Sequence, residues 1–313
     1  MSGFTWHDGD RTIVFRPGAP DQAAAYGFAD ADVLTTARER ERLARVFTGP
    51  VHEVPQGQIP DLAGELLESV SGRPLVAWGG GRVIDTAKAV ASAGGGLVCA
   101  VPTTLSGAEM SHGHRQIAGY EHEVHARPVL VLADPGLMTS LPEPALRASA
   151  MNAMAHAAEA LYTPDRNPVA SLAALRAATL LAGEDRAQGS ILAGYALDSA
   201  GLALHHVLCQ TIVRTLGTPH AQTNACMLPH TMAFMRDRAE PQMEQLAVAL
   251  GTGLQGLPEW LDELGGHARV ELPGDRLGGV ADAALRRDDL DRTPGGPVTR
   301  DDLLGILAAA AAQ

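Results

Sequence analysis

Positive charge is scarce in this chain of 313 residues, and lysine is almost missing from it. Lysine and arginine together number 24 against 36 acidic residues, a formal charge of -12. Such a chain offers no basic face to nucleic acid or to an acidic membrane surface, so neither is expected as a partner. Of the 24 basic residues only Lys88 is a lysine. A coding bias toward GC-rich codons explains the abundance of arginine, and a lysine that survives it flags a position where arginine does not serve. Cysteine is rare as well. Cys99, Cys209 and Cys226 are too few and too scattered for a disulfide framework or a cysteine-rich zinc site. Aromatic residues make up only 4%, so the core and any ligand contacts are expected to be aliphatic. No uninterrupted apolar run is long enough to span a bilayer. The first eight residues hold no basic segment followed by an apolar one. The expectation is therefore no signal peptide, no membrane segment and a cytoplasmic location.

What is present is an ordinary globular balance, 46% hydrophobic and 19% charged, in a chain long enough for two domains. The first half alternates. Strands are expected at Arg11 to Phe15, Asp32 to Thr36, Val51 to Pro55, Pro74 to Trp78, Leu97 to Val101 and Pro128 to Ala133. Helices are expected at Arg38 to Phe47, at Asp61 to Val70 with Asp61 as cap, and at Val83 to Ala93. Uniformly apolar strands separated by helices signal a parallel sheet covered on both faces. After Asp134-Pro135 nearly everything reads as helix: Glu143 to Tyr162, Pro168 to Ala182, Arg186 to Leu216 and Ala221 to Met235, then shorter helices to Ala311. The expected organisation is an α/β domain over 1–138 and an all-helical domain over 139–313.

Two loops of the first half suit a phosphate. Gly79-Gly80-Gly81, followed by Arg82, stands between a buried strand and a helix. Glycine allows close backbone approach, and a helix start offers N–H groups and a positive dipole end. A bare glycine triplet is equally a tight turn with no ligand. Asp85 suits the first helical turn in either case. The next strand leaves through Pro102-Thr103-Thr104, at the end of a parallel sheet where ligands bind.

Nine of the twelve histidines lie between His112 and His230. Asn152 and His156 are four apart on an Ala- and Met-rich helix, and Glu159 follows on the same face. His205 and His206 sit together in an apolar helix, and His220 opens the next one. A lone histidine on an apolar face is usually a satisfied core residue. Three such positions on successive helices favour convergence on one pocket. Three imidazoles and an amide could hold a metal, but Asn152 supplies none of the negative charge such a site normally has.

In combination these motifs resemble the iron-containing alcohol dehydrogenase superfamily, and within it the maleylacetate reductases. Gly79-Gly80-Gly81 with Asp85 and Lys88 is similar to the superfamily's pyrophosphate loop, and Pro102-Thr103-Thr104 to its second cofactor loop. The stretch Asn152 to Tyr162, Leu204 to Cys209 and Leu216 to Thr223 are similar to its three metal motifs. Leu228-Pro229-His230 and Gly296 to Arg300 extend the match. Arg82 stands where the family usually has Ser and Gln210 where His is common. Between 111 and 127 there is no lysine for a substrate carboxylate, only His112, His114, His122 and His125.

The resemblance implies a dinucleotide-binding α/β domain followed by an all-α domain, with the active site in the cleft between them, in a homodimer. His156, His206 and His220 match metal-ligand positions of the alcohol dehydrogenases, with Asn152 where those have Asp. The maleylacetate reductases carry Asn there and are regarded as metal-independent. The implied activity is thus reduction of a small unsaturated or keto acid by NADH or NADPH without a metal, as part of specialised metabolism. Gly79, Gly80, Gly81, Arg82, Asp85, Thr103 and Thr104 would hold the cofactor. His206, His156, His220, His205 and Asn152 would serve the chemistry, protonated imidazoles binding an anionic substrate and stabilising an enolate. The alternative on this scaffold is a redox-neutral cyclase, dehydratase or lyase.

Overall fold

The structure, a computed structural model, describes residues 3–70, 72–121 and 124–312. Of the four loop histidines, His122 lies outside the described residues. The chain forms two compact units, Met1–Leu141 and Pro142–Gln313.

The first unit is built on a seven-stranded sheet. Its strands are β1 (Phe4–Asp8), β2 (Arg11–Phe15), β3 (Asp32–Thr35), β4 (Val51–Glu53), β5 (Leu75–Gly79), β6 (Val98–Pro102) and β7 (Leu130–Ala133). The spatial order is β1-β2-β7-β6-β5-β3-β4. All neighbours pair parallel except β1 and β2. The helices are α1 (Ala37–Arg40), α2 (Ile59–Val70), α3 (Gly81–Gly94) and α4 (Pro135–Met138). Strand side chains alternate between faces. On β5, Leu75 and Ala77 join Leu62, Val70, Ile84 and Val90 under α2 and α3. Val76 and Trp78 join Phe28, Val101 and Leu132 on the other face. Both faces are covered, as an apolar parallel sheet requires.

Three expectations for this unit need correction. The β1 strand is additional to the expected ones, and no apolar run marks it, because its side chains alternate between half-buried and exposed at the sheet edge. The helix expected over 38–47 stops after one turn at Arg40, capped by the Thr36 side chain. Asp61 lies inside the first turn of α2 rather than at its cap.

The second unit is all helix: α5 (Glu143–Tyr162), α6 (Pro168–Ala182), α7 (Arg186–Ala200), α8 (Leu204–Leu216), α9 (His220–Arg238), α10 (Glu240–Ala249), α11 (Leu257–Leu264), α12 (Leu277–Ala284) and α13 (Arg300–Ala311). Every residue of α5 from Ala148 to Tyr162 is buried. It packs against α6, α7 and α9. Alanine makes that possible, since a helix enclosed by neighbours needs small side chains all round. The single helix expected over 186–216 is two, α7 and α8, meeting at 102°. Gly201 makes the break with φ of 78°, a conformation open to glycine and costly to other residues.

Candidate active site

In the first unit, β5 and β6 end side by side, with Gly79 opposite Pro102. The Thr103 amide donates to the Gly79 carbonyl at 3.0 Å, so the two loops leave the sheet joined. From β3 the chain continues to β4 on one side, and from β5 to β6 on the other. That reversal is the switch point at which open α/β sheets bind ligands. Helix α3 starts at Gly81 with no side chain capping it, which leaves its amino end available to an anion.

The glycines also serve packing. A Cβ at Gly80 would stand 2.8 Å from the Thr104 methyl, and one at Gly81 would stand 3.2 Å from Ser106. The triplet thus lets the two loops close on each other, and close approach to a ligand is not needed to explain it. Arg82 turns aside to donate to Gln56. Asp85 accepts from Lys88 at 2.8 Å, and Lys88 also reaches the carbonyls of Ala108 and Gly113. So Asp85 and Lys88 hold the second loop against α3. Thr103 is buried and Thr104 half-buried beside Gly80.

The second unit holds His156, His205, His206 and His220. Asn152, His156 and Glu159 recur at i, i+4 and i+7 on the enclosed helix α5, and all three are buried. Glu159 is the centre of the arrangement. Its Oε1 accepts from the backbone amides of His205 at 2.7 Å and His206 at 3.3 Å, and from the Tyr162 hydroxyl at 3.1 Å. Its Oε2 stands 2.6 Å from His206 Nδ1. The carboxylate therefore ties the amino end of α8 to α5. Burial pushes the Glu159 carboxyl up, and the nearby His205 and the amide donors oppose that. With so many donors converging on it, Glu159 is best described as a carboxylate accepting the Nδ1 proton of a neutral His206.

The His206 and His156 rings stack, with centroids 4.7 Å apart and planes 24° from parallel. His206 Nε2 and His156 Nδ1 are buried and have no hydrogen-bond partner among the described residues. Burial pushes His206 down to about 3 and His156 well below its ordinary range, with His220 adding to both shifts. This corrects the expectation of protonated imidazoles: in the free protein these rings are neutral near pH 7.

His205 also departs from expectation. Thr231 Oγ1 lies 2.8 Å from its Nδ1 and Asn224 Oδ1 lies 3.0 Å from its Nε2. Both nitrogens are engaged inside the protein, so His205 fastens α8 to α9 and has no nitrogen left for a substrate. Asn224 passes the contact on to the exposed His220, donating to its carbonyl at 2.9 Å. Sequence reasoning placed Glu159 on the right face and gave it no role. The signal was there: a carboxylate in an enclosed, alanine-rich helix must be partnered.

A model of the Fe-containing alcohol dehydrogenase family, C-terminal part, matches residues 147–310. The maleylacetate reductase of Sphingobium indicum is 31% identical, over 97% of this chain and 90% of that enzyme. The chain belongs to the iron-containing alcohol dehydrogenase family. Within this family it is maleylacetate reductase-like, and it is an oxidoreductase. The crystal structure of maleylacetate reductase from Agrobacterium tumefaciens superposes with a TM-score of 0.82 at 26% identity, covering 99% of this chain and 98% of that one. A sulfoacetaldehyde reductase from Bifidobacterium kashiwanohense, solved in complex with NAD+, shares the fold with a TM-score of 0.79 at 19% identity, covering 99% of each chain. These likenesses favour a reductase over the redox-neutral alternative.

The family name implies iron, so the donor set has to be tested against a dication. Among the described residues, no three His, Cys, Asp or Glu side chains gather in a way that could hold a metal ion. The candidate ligands are three imidazoles and the uncharged Asn152 amide, and the Glu159 carboxylate on the same face of α5 is already taken up by its four donors. Three neutral imidazoles can hold a dication where they point at one centre, so the arrangement decides the fit rather than the charge of the set. As arranged here, the described residues do not gather around one centre as the ligands of an ion would.

Proposed function

We propose that this protein reduces a small anionic unsaturated or keto acid of the maleylacetate type with a nicotinamide dinucleotide, and that it does so without a metal. The observation that carries the reading is the stacked pair His156–His206. It presents buried, unpartnered nitrogens, with a carboxylate behind His206 and an amide where metal-binding relatives have an acid. Gly79, Gly80, Gly81 and the amino end of α3, with Thr103 and Thr104 opposite, would hold the dinucleotide's pyrophosphate. Support comes from the uncapped α3 start at a switch point and from the NAD+ complex of the sulfoacetaldehyde reductase with the same fold.

The bound cofactor supplies the hydride. The chain's own residues manage the proton. An arriving carboxylate substrate raises the affinity of the neighbouring imidazoles for protons, against the depression that burial imposes. His206 then takes a proton from solvent at Nε2, keeps its Nδ1–H on Glu159, and gives the Nε2 proton to the enolate that hydride addition to an unsaturated acid creates, or to the alkoxide from a keto acid. His156, stacked on the ring, and Asn152, one turn before it, orient the substrate. Such acid help is worth about 10²–10⁴ in rate.

The test has two steps. Cofactor fluorescence is followed as NADH or NADPH is mixed with the protein, and cofactor oxidation is then followed on adding maleylacetate. Binding of one cofactor and its oxidation by the acid are expected. A folded protein that binds neither would contradict the reading. His206→Gln is expected to lower turnover at least about a hundredfold while leaving cofactor binding and melting temperature nearly unchanged.

A further inference from the structure

The two oxygens of Glu159 are not equivalent, and the difference bears on His206. Oε1 accepts from two backbone amides and a tyrosine hydroxyl. Backbone amides only donate, so whatever atom occupies the Oε1 place must be an acceptor. Oε2 faces one group, Nδ1 of His206, at 2.6 Å. A neutral imidazole has one N–H, and the group facing one nitrogen decides which of the two carries it. With a carboxylate at Nδ1, the proton sits there and Nε2 is bare. Nε2 is the nitrogen that has no partner among the described residues and that the reaction would use.

We propose that Glu159 is a positioning residue whose function is to fix the tautomer of His206, keeping Nε2 bare for the proton it takes from solvent as the anionic substrate binds. This rests on the reading of His206 as the proton-handling group, and it adds a residue that touches no reactant. The same carboxylate also steadies the charge when Nε2 is protonated, because both ring nitrogens then carry hydrogen and only an acceptor at Nδ1 tolerates that.

The geometry supplies an unusually clean variant. In Glu159→Gln the amide has one oxygen and one NH₂. The two backbone amides demand the oxygen at the Oε1 place, so the NH₂ is driven to face Nδ1. Nδ1 must then accept, and the ring proton moves to Nε2. Shape and size are kept while the tautomer is reversed. In the serine-protease triad, the corresponding carboxylate-to-amide exchange lowers kcat about 10⁴-fold with the geometry intact.

The experiment is long-range ¹H–¹⁵N correlation on protein labelled with ¹⁵N-histidine, in which His206 is recognised by its loss in His206→Gln. In the parent protein His206 is expected as the Nδ1–H tautomer. In Glu159→Gln it is expected as the Nε2–H tautomer, with a similar melting temperature, unchanged NAD(P)H affinity and a kcat lower by at least a hundredfold. An Nε2–H tautomer in the parent protein would overturn the proposal, and that measurement holds even if the variant fails to fold. An unchanged tautomer in a folded Glu159→Gln would overturn it as well. A reversed tautomer with full turnover would uphold the grip of Glu159 on the ring and remove His206 from the chemistry, so failure of one reading is distinguishable from failure of the other.

Discussion

At Lys88 the lone lysine of the chain finds its explanation. Its side chain is fully buried, and a single ammonium donates to the Asp85 carboxylate, the Ala108 carbonyl and the Gly113 carbonyl. Three acceptors grouped around one atom suit an ammonium, whereas the planar fork of arginine spreads its donors. Lys88→Met is expected to cost on the order of 3 kcal/mol, because it strands the partners of a buried charge. Lys88→Arg keeps the charge and is expected to lose much of the same stability in urea unfolding. An arginine variant as stable as the parent would contradict this account. The composition flagged the position; the acceptors, which lie up to 25 residues away, were not legible. Glu109 gave no signal at all. It is fully buried, and neither carboxyl oxygen has a hydrogen-bond partner among the described residues. Burial pushes it up to about 7, against the pull of Lys88 and Arg11. Because the folded protein holds this proton more tightly than the unfolded chain, the stability it contributes is full below about pH 4.5 and is lost as pH rises toward 7. Glu109→Gln removes that dependence. Its stability relative to the parent is expected to rise over that interval by on the order of 3 kcal/mol and then level off. Equal pH profiles in chemical denaturation would refute the assignment.

Among the elements, the break between α7 and α8 matters most, because it sets where His205 and His206 begin their helix. Arg292 holds it, donating to the carbonyls of Leu202 and Ala200 and to Asp165. A Cβ at Gly201 would stand 2.5 Å from the Arg292 guanidinium, on a backbone with φ of 78°. Gly201→Ala is expected to cost about 1–3 kcal/mol from backbone strain alone. It should also lower turnover per folded molecule by shifting the start of α8 relative to Glu159. Thermal melting and specific activity together check both effects, and a variant matching the parent in both would contradict them. Apolar periodicity alone runs α7 and α8 together, since Arg292 is 90 residues from the carbonyl it binds. Elements specified by their own residues were readable: the strands other than β1, α3 from the glycines before it, and α5 from its alanines. The site was readable to the extent that His156 and His206 are neighbours. The roles of Glu159 and His205 were not, because each depends on a partner from another helix: the α8 amides for Glu159, and Thr231 and Asn224 of α9 for His205.

For the whole molecule, the family likeness, the uncapped helix at the sheet's switch point and the neutral histidine pair all support one activity. In the proposed reading, the loops assigned to the dinucleotide belong to the first unit and the imidazoles assigned to the chemistry to the second. The claim that departs most from the family's name is that no iron takes part. The measurement that decides it is oxidation of NADH or NADPH by maleylacetate, using protein stripped by a chelator and checked by elemental analysis. The account predicts that turnover survives stripping and is not raised by added Fe²⁺ or Zn²⁺. Turnover abolished by the chelator and restored by stoichiometric metal would show that the neutral histidines hold a dication after all.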